Sequence, residues 1–219
     1  MRTRATTAAA TLLATTTLLL TACGSSSDDA PSDKSPIAGA DTGSSTPATP
    51  SATATADNID RPSLKLPADV KNVFEGGTSG DPVKDAVLAD NERMINSIDE
   101  AITVDANEHP ALKFYNKDNA LIAAATYIKT YYDSGTTWTG MTRYYDRKVT
   151  LAGEKAATMT YCADETKSYS KDRKTQKVKN TPGDADDYVS YNTRMRKSAQ
   201  GVWETVSVVS RRGAEECQR

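Results

Sequence analysis

The chain has 219 residues, of which 26% are charged and 37% hydrophobic, and its formal net charge is -2 at pH 7. This length suits one globular domain with extensions. The polarity is high for a chain that folds throughout, and it is unevenly distributed, so we expect part of the chain to lack a fold.

The first 22 residues have the layout of a secretory signal peptide. Arg2 and Arg4 precede an apolar stretch that ends in three leucines, and no acidic residue occurs before Asp28. A basic end, a short apolar middle and small residues at the exit are typical of such signals. The alternative is a transmembrane anchor, which needs roughly 20 predominantly apolar residues. The threonine-rich residues 5–22 are weakly apolar and short for that role.

The segment Leu20-Thr21-Ala22-Cys23 resembles the bacterial lipobox, in which the signal peptide is cut before the cysteine and the thiol carries a diacylglycerol. We therefore expect lipidation at Cys23, after which the mature chain has 25 basic and 29 acidic side chains. Two acyl chains suffice for stable membrane attachment. The predicted location is the cell membrane, with the lipid-anchored chain facing outside the cytoplasm, where nucleic acid is an implausible partner.

Residues 23–66 are predicted to be the lipidated cysteine and a disordered tether. Beyond Cys23 this segment is rich in Ser, Thr, Ala, Pro, Asp and Gly, and it contains no aromatic residue. It cannot bury enough apolar surface to offset the entropy lost on ordering. The folded domain is therefore predicted to span residues 67–219.

The first part of this domain is predicted to be helical. Asp81-Pro82 is a favourable helix start, and apolar residues then recur at helical spacing to about Val104. A short helix, "PALKFY", follows His109-Pro110, and a longer one, "NALIAAATYIKTYY", ends near Gly135. These helices would supply one layer of the fold.

The second part changes to the alternating pattern of strands. Four segments rich in Val, Thr, Tyr and Trp follow, namely "MTRYYDRKVTL", "KAATMTYC", "DYVSYNTRMRK" and "GVWETVSVVSRR". We predict an α+β domain in which the helices pack on one face of a four-stranded antiparallel sheet.

Two cysteines remain besides Cys23. In an oxidising compartment Cys162 and Cys217 are expected to form a disulfide. A metal site is the alternative for these thiols, but the chain has one histidine and no close Cys or His partner in sequence. We expect no metal and no cofactor.

The second half resembles a group of cell-wall-facing actinobacterial lipoproteins whose domain has the NTF2-like, cone-shaped α+β fold. The resemblance covers about residues 85–219 and rests on "VTLAGEKAATMTYCADETKSY", "DRKTQKV", "GVWETVSV" and "RRGAEEC". Tyr161 and the turn Thr175-Gln176-Lys177 depart from the family pattern. The resemblance implies an architecture and a location, but not a reaction.

No residue is assigned a catalytic role. His109, the one histidine, is expected in an exposed loop, which argues against acid or base chemistry. Asp146, Asp164 and Glu165 are expected at strand ends or turns, where carboxylates usually bond the local backbone. We expect the carboxylate of Asp164 to order the hairpin rather than to take part in chemistry.

Aromatic residues are the stronger signal for a binding site. We name as possible lining of the cone Tyr127, Tyr131, Tyr144, Tyr161, Tyr191 and Trp203. The alternative is that Trp203 and several tyrosines form the core between helices and sheet.

Charge is also unevenly distributed within the domain. Residues 67–142 hold 6 basic and 12 acidic side chains, whereas residues 143–219 hold 16 and 11. Six Lys and Arg fall between residues 167 and 179. This basic hairpin either contacts anionic wall polymers or lipid headgroups, or is simply solvated.

The leading hypothesis is a lipid-anchored extracytoplasmic binding or interaction module that is not catalytic, with a cell-wall polymer or an envelope protein as possible partner. The alternative is a small-molecule enzyme, isomerase- or dehydratase-like, that uses the cone cavity. A buried carboxylate against a polar partner would favour the enzyme, and a filled apolar cone would favour the module.

Overall fold

The computed structural model describes residues 58–218. The predicted signal peptide, the predicted lipidation site Cys23 and most of the predicted tether lie outside the described residues. Among residues 58–218, no helix is both long and apolar enough to cross a membrane.

Three helices form at the predicted places. They are α1 (Pro82–Thr103), α2 (Pro110–Tyr115) and α3 (Asp118–Asp133). The carboxylate of Asp81 caps α1, since Oδ1 accepts hydrogen bonds from the backbone N–H groups of Val83 at 2.9 Å and Lys84 at 3.2 Å. Pro82 occupies the first helical turn, where its missing N–H has no intrahelical partner to lose. The predicted start of α1 is therefore confirmed.

The described strands make one mixed sheet. They are β1 (Val70–Phe74), β2 (Thr136–Leu151), β3 (Ala156–Asp172), β4 (Val178–Lys179), β5 (Tyr188–Lys197) and β6 (Trp203–Arg212). The strand order is β1-β2-β3-β5-β6, and β4 pairs with the far end of β3. All neighbours are antiparallel except β1 and β2, which are parallel. Helices α1 and α3 both contact β2 and β6.

The mixed α+β class is confirmed, but the count of four strands is wrong. The four predicted strands correspond to β2, β3, β5 and β6, and the two others were missed. β1 is short and lies before the first helix, and β4 has only 2 residues. β3 also continues ten residues past Cys162 to Asp172, since its polar second half pairs with the start of β2.

Two apolar clusters hold the helices on the sheet. The larger one joins α1 and α2 to all the long strands and includes Met94, Tyr115, Met159, Met195 and Trp203. The smaller one joins α1 and α3 to β1 and β2 through Ile102, Ile128, Val70 and Trp138. The space between these two clusters is where the cavity described below is found.

The packed part of the chain begins before the predicted boundary at residue 67. Ile59 and Leu64 pack against the larger cluster, and Leu66 packs against the smaller one. Arg61 Nη1 lies 2.7 Å from Asp90 Oδ1, and the backbone N–H of Lys65 donates to Glu100 at 2.8 Å. The few aliphatic residues of a polar segment are thus enough to fix its last part to the domain.

The structure contains a disulfide between Cys162 of β3 and Cys217 of a short 3-10 turn at the end of the chain. The bridge lies in a small buried cluster with Tyr145 and Ala214. It fastens the C-terminal residues across the middle of the sheet.

Candidate functional site

A cavity of about 450 Å³ lies between the helices and one face of the sheet. Helices α1 and α3 form one wall, and strands β2, β3, β5 and β6 form the other. Its polar and aromatic lining consists of Asp99, Asn116, Tyr127, Tyr131, Trp138, Thr142, Tyr144, Tyr161, Glu165, Ser168, Tyr169, Ser170, Asp187, Tyr191, Ser210 and Arg212. The cavity is within the range of about 300–1,000 Å³ that is usual for small-molecule sites.

Five of the six aromatic residues named from the sequence line this cavity. They are Tyr127, Tyr131, Tyr144, Tyr161 and Tyr191. Trp203 does not, and its assignment to the lining is wrong. Its side chain is 0% exposed within the larger apolar cluster, where it packs between α1 and the sheet. Trp203 therefore belongs to the core between the helices and the sheet, while the five tyrosines form part of the cavity wall.

The tyrosine rings form two groups. On the sheet, Tyr161 stacks on Tyr191 with ring centroids 4.9 Å apart, and Tyr144 meets Tyr161 edge to face at 6.1 Å. On α3, the rings of Tyr127 and Tyr131 meet edge to face at 5.4 Å, and their hydroxyls are 3.1 Å apart. Burial raises the pKa of the Tyr144 and Tyr191 hydroxyls well above the ordinary value, so both groups stay protonated at neutral pH.

Asp99 of α1 is the most deeply buried carboxylate of the lining and is 9% exposed. Its Oδ2 accepts a hydrogen bond of 2.6 Å from Asn72 Nδ2, which also donates to Asn96 at 2.8 Å. Burial raises the pKa of Asp99 to about 7, although the hydrogen bond from Asn72 opposes the shift. Asp99 is therefore a group that can exchange a proton near neutral pH.

A second carboxylate, Glu165 of β3, lies in the same cavity beside Arg212. Arg212 Nη2 and Glu165 Oε2 are 2.7 Å apart. Burial raises the pKa of Glu165, and the Arg212 charge partly offsets that effect. Glu165 was expected to bond the local backbone at a strand end; instead it lies inside β3, which is longer than predicted.

Asn116, the residue that ends α2, supplies an acceptor with no partner. Its side chain is 0% exposed, and its Nδ2 donates to Leu112 O at 3.1 Å and Ser97 Oγ at 3.3 Å. Its Oδ1 accepts no hydrogen bond from the described residues. A buried amide oxygen without a donor is uncommon in folded proteins, and because Asn116 lines the cavity, its oxygen is available to a hydrogen-bond donor of a ligand.

The cavity opens between α3 and β6. Ala123, Ser210 and Arg212 are exposed and line it at this place, and Tyr127 is 45% exposed. Asp99, Asn116 and Tyr161 are buried and form its inner end. A ligand would therefore pass the Glu165–Arg212 pair at the rim before it reached Asp99.

The other carboxylates named from the sequence lie elsewhere. Asp164 Oδ1 accepts hydrogen bonds from the backbone N–H of Thr166 at 3.0 Å and its hydroxyl at 2.6 Å, and Oδ2 pairs with Arg143 at 3.1 Å. Burial alone would raise the pKa of Asp164, but these partners outweigh it and lower the pKa. Asp146 lies at an irregularity in β2, outside the cavity.

His109 precedes α2 and does not line the cavity. Its side chain makes no capping hydrogen bond to that helix. Nothing in its position connects this residue with the candidate site.

The basic hairpin between residues 167 and 179 is partly engaged with the domain. Lys171 pairs with Asp69 at 2.7 Å, and Arg173 donates to Thr136 O at 2.8 Å while its guanidinium lies 3.9 Å from the Tyr132 ring centroid. The remaining cations of the hairpin are exposed, namely Lys167, Lys174, Lys177 and Lys179. Two of the six basic residues thus position the hairpin, and four face solvent.

Sequence reasoning missed Asp99, Glu165, Arg212 and Asn116 as members of the site. For Asp99 a signal was present, since it lies four residues after Ile95 and three before Ile102, on the apolar stripe of α1. A carboxylate at such a position is buried with that stripe. No comparable signal marks Arg212, because its role depends on the distance between strands β3 and β6 in space.

Among residues 58–218, no group of three or more His, Cys, Asp or Glu side chains is arranged to hold a metal ion.

Comparison with known proteins finds distant structural similarity. No family model matches the chain, and no curated protein matches it. The structure is similar to that of a ketosteroid isomerase-like protein from Erwinia carotovora atroseptica SCRI1043, with 15% identity, a TM-score of 0.40, and coverage of 57% of this chain and 92% of that one. A candidate ketosteroid isomerase from Shewanella frigidimarina NCIMB 400 is also similar, with 14% identity, a TM-score of 0.33, and coverage of 59% and 98%.

Proposed function

We propose that this protein is a lipid-anchored extracytoplasmic binding module whose NTF2-like domain holds a small molecule in the cavity between its helices and sheet. The observation that carries the proposal is the open cavity of about 450 Å³, lined by tyrosines and closed at its inner end by Asp99 and Asn116. An apolar, aromatic cavity with a few converging polar groups is the usual form of a ligand site. The exposed lysines of the hairpin remain available for a wall polymer or an envelope partner.

The proposed location rests on the sequence and agrees with the cysteine chemistry. The lipobox-like segment before Cys23 supports the anchor, and a disulfide in a small domain supports an oxidising compartment outside the cytoplasm. A Cys23→Ser variant should move the protein from the membrane fraction to the soluble fraction. Retention of this variant in the membrane would overturn the anchor.

The binding role is tested by filling the rim of the cavity. Ala123→Trp places a large ring at an exposed lining position, and Ala125→Trp places the same ring at an exposed position of α3 outside the lining. A fragment library is screened by ligand-observed NMR against both variants and the unmodified chain. We expect hits that bind the unmodified chain and Ala125→Trp but not Ala123→Trp. Hits that persist in Ala123→Trp, or a screen without hits, would contradict binding in this cavity.

A second candidate function is favoured by one observation, the buried carboxylate of Asp99 against Asn72. A base whose pKa is near 7 is suited to proton transfer in an enzyme at neutral pH. The neutral tyrosine hydroxyls nearby could donate hydrogen bonds to an oxygen that gains charge. The test is proton exchange: cyclic ketones are incubated with the protein in D₂O, and loss of the α-proton signal is followed by NMR. Exchange that Asp99→Asn abolishes would favour the enzyme over the module.

A further inference from the structure

The charge of the cavity lining is negative. It contains the carboxylates of Asp99, Glu165 and Asp187 and one described cationic side chain, Arg212. This is the reverse of the surrounding strand half, which is basic over residues 143–219. The cavity lining is therefore negative, although the strand half of the chain has a net positive charge.

The single cation of the described lining is already engaged. Arg212 Nη2 pairs with Glu165 at 2.7 Å, and Arg212 Nη1 donates to the carbonyl oxygen of Asp186 at 2.9 Å. An anionic ligand would have to displace these partners and approach Asp99. A ligand with a negative group is therefore disfavoured by both contacts and charge.

Two hydrogen-bond acceptors lie at the inner end of the cavity, the carboxylate of Asp99 and the amide oxygen of Asn116. The carboxylate of Asp99 accepts a hydrogen bond from Asn72 to Oδ2, and the side chain of Trp138 is a second hydrogen-bond partner. Asn116 Oδ1 is buried and has no described donor at all. Because amide oxygens and ionised carboxylates can only accept, both groups fit a ligand that brings N–H donors.

We infer that the ligand carries a protonated amine, which Asp99 and Asn116 bind at the inner end, and a compact aromatic or aliphatic body that lies among the tyrosine rings. This inference rests on the proposed function, since it names the chemical class of the ligand in the same cavity. The faces of tyrosine rings attract cations within about 6 Å of the ring centroid. The stacked pair Tyr161 and Tyr191, with Tyr144 at its edge, supplies such surfaces beside the carboxylate.

Binding of an amine should depend on the ionisation of Asp99. The titratable groups that act on Asp99 from the neighbouring elements are Glu165 of β3 and the protonated tyrosines Tyr131, Tyr144, Tyr161 and Tyr191. An alkylammonium group, with a pKa of about 10, stays charged between pH 6 and pH 8, whereas Asp99 ionises in that interval. Affinity should therefore rise about tenfold from pH 6 to pH 8, with release of a proton on binding below pH 7.

A charge series of similar shape tests this inference. The probes are phenethylamine, 2-phenylethanol and 3-phenylpropanoate, which carry a positive, a neutral and a negative end on the same ring. Their dissociation constants are measured by calorimetry with the purified full chain at pH 6, 7 and 8, in buffers of different ionisation enthalpy. We expect the amine to bind at least tenfold more tightly than the alcohol and the acid, with the predicted pH dependence and proton release.

Two variants separate the role of Asp99 from a general effect of charge. Asp99→Asn keeps the shape of the side chain, and we expect it to weaken amine binding at least tenfold and to flatten its pH dependence. Asp133→Asn, at an α3 position whose side chain is 62% exposed, removes the same charge outside the lining and should leave binding unchanged. If Asp99→Asn fails to fold, the proton release measured with the unmodified chain still decides the question.

The outcomes distinguish the two proposals. Tighter binding of the alcohol or the acid, blocked by Ala123→Trp, would overturn the amine while leaving the cavity as a binding site. Equal amine binding by Asp99→Asn and the unmodified chain would also overturn it. Binding of none of the three probes, together with a fragment screen without hits, would overturn both the amine and the proposed function.

Discussion

The backbone N–H of Trp203 donates a hydrogen bond of 2.8 Å to Oδ2 of Asp90, 113 residues earlier in the chain. The other oxygen of this carboxylate accepts from Arg61 at 2.7 Å and from Arg93 at 2.9 Å. Asp90 is 1% exposed. One buried side chain of α1 thus fastens the residues before β1, its own helix and the first residue of β6.

Removal of this carboxylate should destabilise the whole domain. In Asp90→Ala, two arginines lose their buried partner and the N–H of Trp203 is left without an acceptor. Breaking a buried pair on one side usually lowers the free energy of unfolding by about 3–5 kcal/mol. Urea denaturation followed by tryptophan fluorescence measures this change. The matched control is Asp133→Ala, whose exposed pair with Lys129 should contribute at most about 0.5 kcal/mol. Similar values for both variants would contradict the role given to Asp90.

Gly140 of β2 is predicted to tolerate no side chain. Its φ is +103°, and a Cβ would lie 2.2 Å from the carbonyl oxygen of Lys167 on β3. Gly140→Ala therefore combines backbone strain with a clash against a paired strand, and we expect a loss of about 3 kcal/mol or more in unfolding free energy. In the control Gly153→Ala, φ is +85° but the space is open, so the loss should be about 1 kcal/mol. Thermal unfolding compares the two variants, and equal shifts would exclude the clash.

The disulfide should contribute to stability through the long loop that it closes. Cys162 and Cys217 are 55 residues apart, for which chain entropy predicts about 4 kcal/mol. We expect the double variant Cys162→Ser and Cys217→Ser to unfold at a lower urea concentration than the unmodified chain. We also expect faster backbone hydrogen exchange at the end of β6 in this variant. Thiol labelling of the denatured, unreduced chain should find neither cysteine free. Stoichiometric labelling of both would show that the bridge does not form.

The local pattern predicts helices and long strands in this chain because each element carries its own signal. Asp81-Pro82 marks the start of α1, and the alternation from Val189 to Met195 marks β5. β1 was missed, since a strand of 5 residues is stabilised here by parallel pairing with β2, 70 residues away. The second half of β3 was missed because one of its faces lines the cavity with polar side chains instead of packing into a core.

The candidate site was predictable only in part, because strand register and strand order decide which residues line it. Tyrosines in a helix and in strands of one layered fold are expected to converge, and five of the six named did. Which residue packs in the core and which faces the cavity depends on register, and Trp203 fell on the core side. The pairing of Glu165 with Arg212 follows from the order β3-β5-β6, which the sequence pattern does not contain.

Asp99 should make the domain less stable as pH rises. Its pKa is about 7 in the folded protein against an ordinary 3.8, since burial disfavours the charged form. Between these two values the folded state binds more protons than the unfolded chain, so the free energy of unfolding falls with increasing pH. At about 1.36 kcal/mol for each pKa unit, the full effect is on the order of 4 kcal/mol above pH 7.

Asp99→Asn removes this titration and should therefore be more stable than the unmodified chain at pH 8, with a difference that shrinks towards pH 4. Urea denaturation of both proteins from pH 4 to pH 8 measures it. A variant that is less stable at pH 8 would mean that Asp99 supports the fold. A stabilising Asp99→Asn that also loses amine binding would identify Asp99 as a residue maintained for its ligand at the expense of stability.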